Sequence, residues 1–229
     1  CSGLTSLDVT NFNTSKVTTM LNTFNDCSSL TSLNVSNFNT SNVTDMKEMF
    51  ADCSSLTSLD LSNFNTSKVT TMMRMFSNCF NLTDLNIGSF NTSKVTDMSL
   101  MFASCRSLIN LDLSNFNTSN VINMSVMFST CRSLESLNLA HFDTRNAKTI
   151  GFMFYNCTSL KNLIVTGTNF TFTKLDHTTA GIYPGKYKAV DINGVFEKCS
   201  SLTSLDLSSW NITTSENMNE LFADCTNLK

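Results

Sequence analysis

Residues 30–56 read LTSLNVSNFNTSNVTDMKEMFADCSSL, and variants of this sentence fill nearly the whole chain. The cysteines mark its frame: Cys1, Cys27, Cys53, Cys79, Cys105, Cys131, Cys157, Cys199 and Cys225. Neighbouring cysteines stand 26 residues apart, except Cys157 and Cys199, which stand 42 apart. Self-similarity at such a period is the signature of a repeat architecture. The frame reads C-x-x-L-x-x-L-x-L-x-x-F-N-T-x-x-V-x-x-M-x-x-M-F-x-x. The second repeat shows it cleanly in Cys27, Leu30, Leu33, Val35, Phe38, Asn39, Thr40, Val43, Met46, Met49 and Phe50. Eleven of the 12 Met fall in the two Met columns, so the frame is not a chance pattern. Eight repeats make one solenoid over residues 1–229, with residues 225–229 beginning a ninth. The long gap holds an insertion of 16 residues around 169–184 in the seventh repeat.

Each repeat has a physical reading. L-x-x-L-x-L alternates inward and outward residues, as a short strand does, with Leu33 and Val35 pointing in. V-x-x-M-x-x-M-F-x-x-C spaces its apolar residues by three and four, as a short helix or 3-10 turn does, and Ser41 or Thr44 can cap its start. The expected fold is therefore an α/β repeat solenoid. It is a leucine-rich-repeat-like right-handed superhelix with one short parallel strand and one short helix or 3-10 turn per repeat. A lone repeat cannot bury its apolar face, whereas stacked neighbours can.

Stacking turns every column into a ladder. One Phe ladder runs through Phe12, Phe38, Phe64, Phe90, Phe116 and Phe142, with Trp210 in the eighth repeat. A second runs through Phe24, Phe50, Phe76, Phe102, Phe128, Phe154, Phe196 and Phe222. Both are read as core. The outward strand column reads Asp8, Asn34, Asp60, Asn86, Asp112, Asn138, Ile164, Asp206. Carboxylates one repeat apart repel by about 1 kcal/mol even in water. The alternation of Asp with a neutral residue doubles their spacing, which suits in-register stacking and disfavours a metal site.

The cysteines form no C-x-x-C pair, and neither His141 nor His177 is placed as a partner. Small buried thiols are favoured over ladder disulfides, although stacked columns approach disulfide distance. Cys1 fits the repeat frame, so a boundary within a longer array explains it better than a lipidated N-terminal cysteine. The sequons at Asn13, Asn39, Asn65, Asn91 and Asn117 are read as turn residues rather than glycan acceptors.

Composition narrows the function. Charged residues are 14% of the chain and the net charge is -3, unlike the basic stripe of a nucleic-acid binder. No apolar run is long enough to span a membrane. G-x-S-x-G, G-x-x-x-x-G-K-[ST] and H-E-x-x-H do not occur, and the Asp176–His177 pair reads as an exposed loop pair, so neither an enzyme nor a cofactor is expected.

The motif L-x-L-S-N-F-N-T-S-x-V-T-x-M-x-x-M-F-x-x-C resembles the BspA-like leucine-rich-repeat surface proteins, including the mycoplasma-type lipoprotein repeats. The likeness covers the chain apart from the insertion. Asp143 departs from the usual Asn and Ala147 from the usual Val, as does the stretch from Thr168 to about Pro184. The resemblance implies an extracellular position on a cell surface, bacterial more than eukaryotic, within a longer anchored protein. It implies adhesion to a protein or glycan of a host or neighbouring cell, without catalytic residues.

Two binding surfaces are expected. One is the strand face of Asp8, Asn34, Asp60, Asn86, Asp112 and Asn138, flanked by small Ser residues. The other is the insertion, with Phe170, Phe172, Lys174, His177, Tyr183, Lys186 and Tyr187, because insertions in solenoids map to loops on one face. The competing readings are a structural stalk that projects other domains and, more remotely, ice binding through the Ser/Thr/Asn ladders.

Overall fold

The computed structural model describes residues 1–166, 192–210, 215 and 217–229. The L-x-L segments form three-residue strands where the pairing is tightest: β1 Ser58–Asp60, β2 Asp84–Asn86, β3 Ser136–Asn138 and β4 Asn162–Ile164. β1 pairs with β2 and β3 with β4, parallel and in register, so that Asp60 faces Asn86 and Leu59 faces Leu85. A second parallel ladder of single bridges runs Thr19–Asp45–Thr71–Asp97–Asn123–Thr149. Equivalent residues of successive repeats therefore sit side by side on two sides of one core.

That core is the one the columns imply. Val43, Met46, Met49, Phe50, Cys53 and Leu56 are fully buried, and the same columns are buried in the repeats that follow as far as Leu202, whereas Met218 and Phe222 in the last repeat are exposed. The rings of Phe24, Phe50 and Phe76 lie nearly parallel, with centroids 5.5 and 5.8 Å apart. The stack continues through Phe102, Phe128, Phe154 and Phe196 to Phe222. These are offset stacks within the favourable range for aromatic pairs. One end of each Phe ladder is exposed, Phe12 in the first repeat by 57% and Phe222 in the last by 41%.

The expected helix or 3-10 turn in each repeat is absent: among the described residues the Met-rich segment is a chain of turns. The reason lies in where its N–H groups go. Met20, Asn22, Phe24 and Asp26 donate to the carbonyls of Asp45, Lys47, Met49 and Ala51 in the next repeat, at 2.8–3.0 Å. Between them, Thr23, Asn25 and Cys27 donate back to Met20, Asn22 and Phe24. Every second N–H is thus committed to a neighbouring repeat, and an α-helix cannot spare it. The backbone accommodates this by entering the left-handed region twice per repeat, at Asn22 and Asp26, Glu48 and Asp52, Arg74 and Asn78, and so on.

The start of this segment is also capped differently from the expectation. The residue after Thr44 does the work: Asp45 Oδ1 accepts the Lys47 N–H at 2.8 Å, while Thr44 Oγ1 donates to the Thr18 carbonyl of the preceding repeat. The pattern crosses the 42-residue gap intact. Phe152, Phe154 and Asn156 donate to Asn193, Val195 and Glu197. The extra residues leave the register of the turn ladder unchanged.

Candidate functional site

The strand column expected to bind is exposed at Asp8, Asn34, Asp60, Asn86, Asp112 and Asn138. Each of these side chains also serves its own repeat. Its Oδ1 accepts the backbone N–H two residues on: Thr10, Ser36, Ser62, Gly88, Ser114 and Ala140, at 2.9–3.3 Å. This is the Asx turn that ends the strand. The hydrogen bonds hold the carboxyls of Asp8, Asp60 and Asp112 below the usual carboxylate range. At Asp60 the Ser62 N–H is the main cause, and the Asn86 side chain in the next repeat adds to it.

Two further corners are turned in the same way. Asn13, Asn39, Asn65, Asn91 and Asn117 accept the N–H of Ser15, Ser41, Ser67, Ser93 and Ser119. The third corner is the column of Thr19, Asp45 and Thr71. The Asn of each sequon is thus a turn residue, as its position after the strand implies.

Sequence reasoning missed the polar groups that join the repeats. The Thr of each Asn-Thr pair is buried and bonded to the next repeat. Thr40 Oγ1 accepts the Asn65 N–H at 2.8 Å and donates to the Asn65 carbonyl at 3.1 Å. The residue before the Phe, Asn in most repeats and Ser89 or His141 in two, closes a different gap. Asn63 Nδ2 approaches the carbonyls of Val35, Ser36 and Phe38 in the preceding repeat, at 3.1–3.2 Å. The recurrence of these residues in one column was the signal. Their direction, toward a neighbouring repeat, was not readable along one strand of sequence.

The cysteines are free thiols. Cys79 Sγ donates to the Phe50 carbonyl of the preceding repeat at 3.2 Å, and Cys105, Cys131 and Cys157 do likewise. Burial pushes the Cys53 and Cys131 thiols up to about 12. Such thiols are poor nucleophiles and poor metal ligands. Among the described residues no group of three or more His, Cys, Asp or Glu side chains is placed to hold a metal ion. Nor is any described helix long and apolar enough to cross a membrane.

Phe170, Phe172, Lys174, His177, Tyr183, Lys186 and Tyr187 of the insertion lie outside the described residues. A shallow open concavity elsewhere is lined by Lys94, Thr96, Asn120, Ile122, Asn146 and Lys148, none of them among the residues expected to bind.

A family model described as "Mycoplasma protein of unknown function, DUF285" matches residues 1–108, 77–182 and 185–229. Comparison with curated proteins finds no match. Among solved structures, the chain is similar to a leucine rich cell surface protein from Faecalibacterium prausnitzii A2-165. The identity is 16% and the TM-score 0.34, covering 91% of this chain and 67% of that one. It is also similar to a leucine-rich repeat protein from Bacteroides ovatus ATCC 8483, at 16% identity and a TM-score of 0.31, covering 93% and 69%.

Proposed function

We propose, for a chain that belongs to the family described as Mycoplasma protein of unknown function, DUF285, that it is a non-enzymatic binding module on a bacterial cell surface. Its role in this reading is adhesion to a host glycoprotein, mucus or matrix, as part of a longer anchored protein. One observation carries it: an Asp or Asn side chain is offered once per repeat, Ile164 apart, along a regular exposed face. A ladder of identical weak contacts gains by avidity, without a deep pocket or an aromatic hot spot. The BspA-like motif supports the adhesive role.

A structural stalk is the second reading. It is favoured by the Asx turns, because the carboxylates of Asp8, Asp60 and Asp112 are engaged in ending their own strands.

Binding of the immobilised chain to mucin, fibronectin and a glycan array decides between them. Saturable binding supports adhesion, and no binding on a broad screen supports the stalk. Deletion of 169–184 then locates the site. Loss of binding assigns it to the insertion, and unchanged binding moves it to the ladders.

A further inference from the structure

The x-V-x segment at the second bridge ladder carries two outward columns on either side of the buried Val43, Val69, Val95 and Val121. Its charge is one-sided. Lys16, Lys68, Lys94 and Lys148 stand in these columns, and the sequence places one acid there, Glu216, outside the described residues. The L-x-L face carries the opposite sign in Asp8, Asp60, Asp84, Asp112 and Asp206. Both segments bury their alternate residues in the one core, so their outward residues face different ways. A chain of net charge -3 therefore presents a basic stripe along its length.

Two observations separate this stripe from ordinary solvated lysines. Lys47, Lys161 and Lys198 are each ion-paired with a glutamate, whereas none of the four stripe lysines is in an ion pair among the described residues. Asp45 and Asp97, the acids of the adjacent bridge column, are turned into their own corners, on the N–H groups of Lys47 and Ser99. The second observation is a hydrogen bond given up. Where the column holds Asn, the side chain ties two repeats together: Asn42, Asn120 and Asn146 donate to the carbonyls of Ser15, Ser93 and Ser119 in the preceding repeats. Lys68 Nζ donates instead to the side-chain Oδ1 of Asn42 in the preceding repeat at 2.8 Å, and Lys94, in the same column, makes no side-chain hydrogen bond among the described residues.

We infer that this face binds a linear anionic glycan, sulfated or carboxylated, laid along the solenoid axis. Ladder spacing puts Lys68 and Lys94 roughly 5 Å apart at the backbone, and Lys94 and Lys148 roughly 10 Å apart. A polymer with charges at regular intervals meets such a row in several places at once. Between the lysines, the Thr96 hydroxyl, the Asn120 and Asn146 amides and the 41% exposed Ile122 line the shallow concavity. Hydroxyls, amides and a small apolar surface suit sugar rings. The inference rests on the adhesive reading and names its ligand class and face.

The test is binding of heparin and of chondroitin sulfate to the whole chain, beside mucin, fibronectin and phosphatidylserine vesicles. The variant Lys16→Asn, Lys68→Asn, Lys94→Asn, Lys148→Thr uses residues these columns already hold, so the fold is retained. Glycan binding that weakens about tenfold or more in the variant, and weakens with added salt, is the expected result. Lys161→Gln, which removes a lysine outside these columns that is ion-paired with Glu135, should leave it unchanged. Absent or unaltered glycan binding overturns the inference while mucin or fibronectin binding keeps the adhesive reading alive. Stripe-dependent binding confined to the vesicles overturns it in favour of a membrane surface. Failure to bind any of these probes overturns both.

Discussion

The hydroxyl of Thr66 joins two repeats by bonding both ways to Asn91: it accepts the Asn91 N–H at 2.7 Å and donates to the Asn91 carbonyl at 3.0 Å. Thr66 is fully buried, so neither backbone group has water as a substitute from that side. Thr66→Val keeps the shape and removes both bonds. The expected loss is about 1–3 kcal/mol, read as a lower denaturant midpoint. Thr66→Ser should lose less. A valine variant as stable as the parent would show that the two bonds contribute nothing net.

Thiol accessibility gives a second expectation. Cys1 is exposed, Cys225 half-buried, and the other seven cysteines are buried. Burial also raises the pKa of Cys79, Cys105 and Cys157 well above the ordinary value. An alkylating reagent at mildly alkaline pH should modify Cys1 quickly and Cys225 slowly. The buried thiols should react only after denaturant is added, and mass spectrometry counts the adducts.

Acid should weaken the fold through the strand ends. Turn hydrogen bonds lower the carboxyl pKa values of Asp8, Asp60, Asp112 and Asp206 in the folded chain. Their unfolded values lie near about 3.9. The stabilisation is therefore present above that pH and is lost as pH falls through the lowered folded values. The denaturant midpoint should hold between about pH 5 and 7 and fall below about pH 4. Asp60→Asn should reduce this acid sensitivity, because Asn34 and Asn86 make the same turn without ionising.

The left-handed positions yield a pair of opposed outcomes. Gly194 has φ +57°, and a Cβ there would lie 2.4 Å from Phe152 Cε1. Gly194→Ala should destabilise by about 1–3 kcal/mol. Gly88→Ala, whose nearest such contact is 3.6 Å, should be nearly neutral. Val126 is β-branched at φ 62°. Val126→Asn should stabilise by roughly 1 kcal/mol, because Asn tolerates this region far better than a β-branched residue. Thermal melts of the three variants check all of these signs.

Much of this architecture was legible because a repeat prints its contacts as columns. The period, the inward Phe, Met and Leu positions, the buried thiols and the turn role of Asn-Thr follow from one aligned sentence. The Met-rich segment was misread because its apolar spacing of three and four fits a helix and a chain of turns equally well. What separates them is the bond from Phe50 N–H to Met75 in the next repeat, which no local window contains. Positive φ was signalled by Asp26, Asp52 and Asn78 but hidden at Leu100, Val126 and Phe152, whose residue types argue against it. The strand-face residues are exposed, as their outward column implies, and their Asx bonds became visible only with coordinates.

Sequence by itself determined the stacking and its register, since a 26-residue period with fixed apolar columns leaves one way to bury them all. Only the tertiary structure decided how each turn is built and which faces carry which charge. Both depend on bonds and distances between residues 25 to 29 apart in the chain, set by the neighbouring repeat and not by the residues alongside.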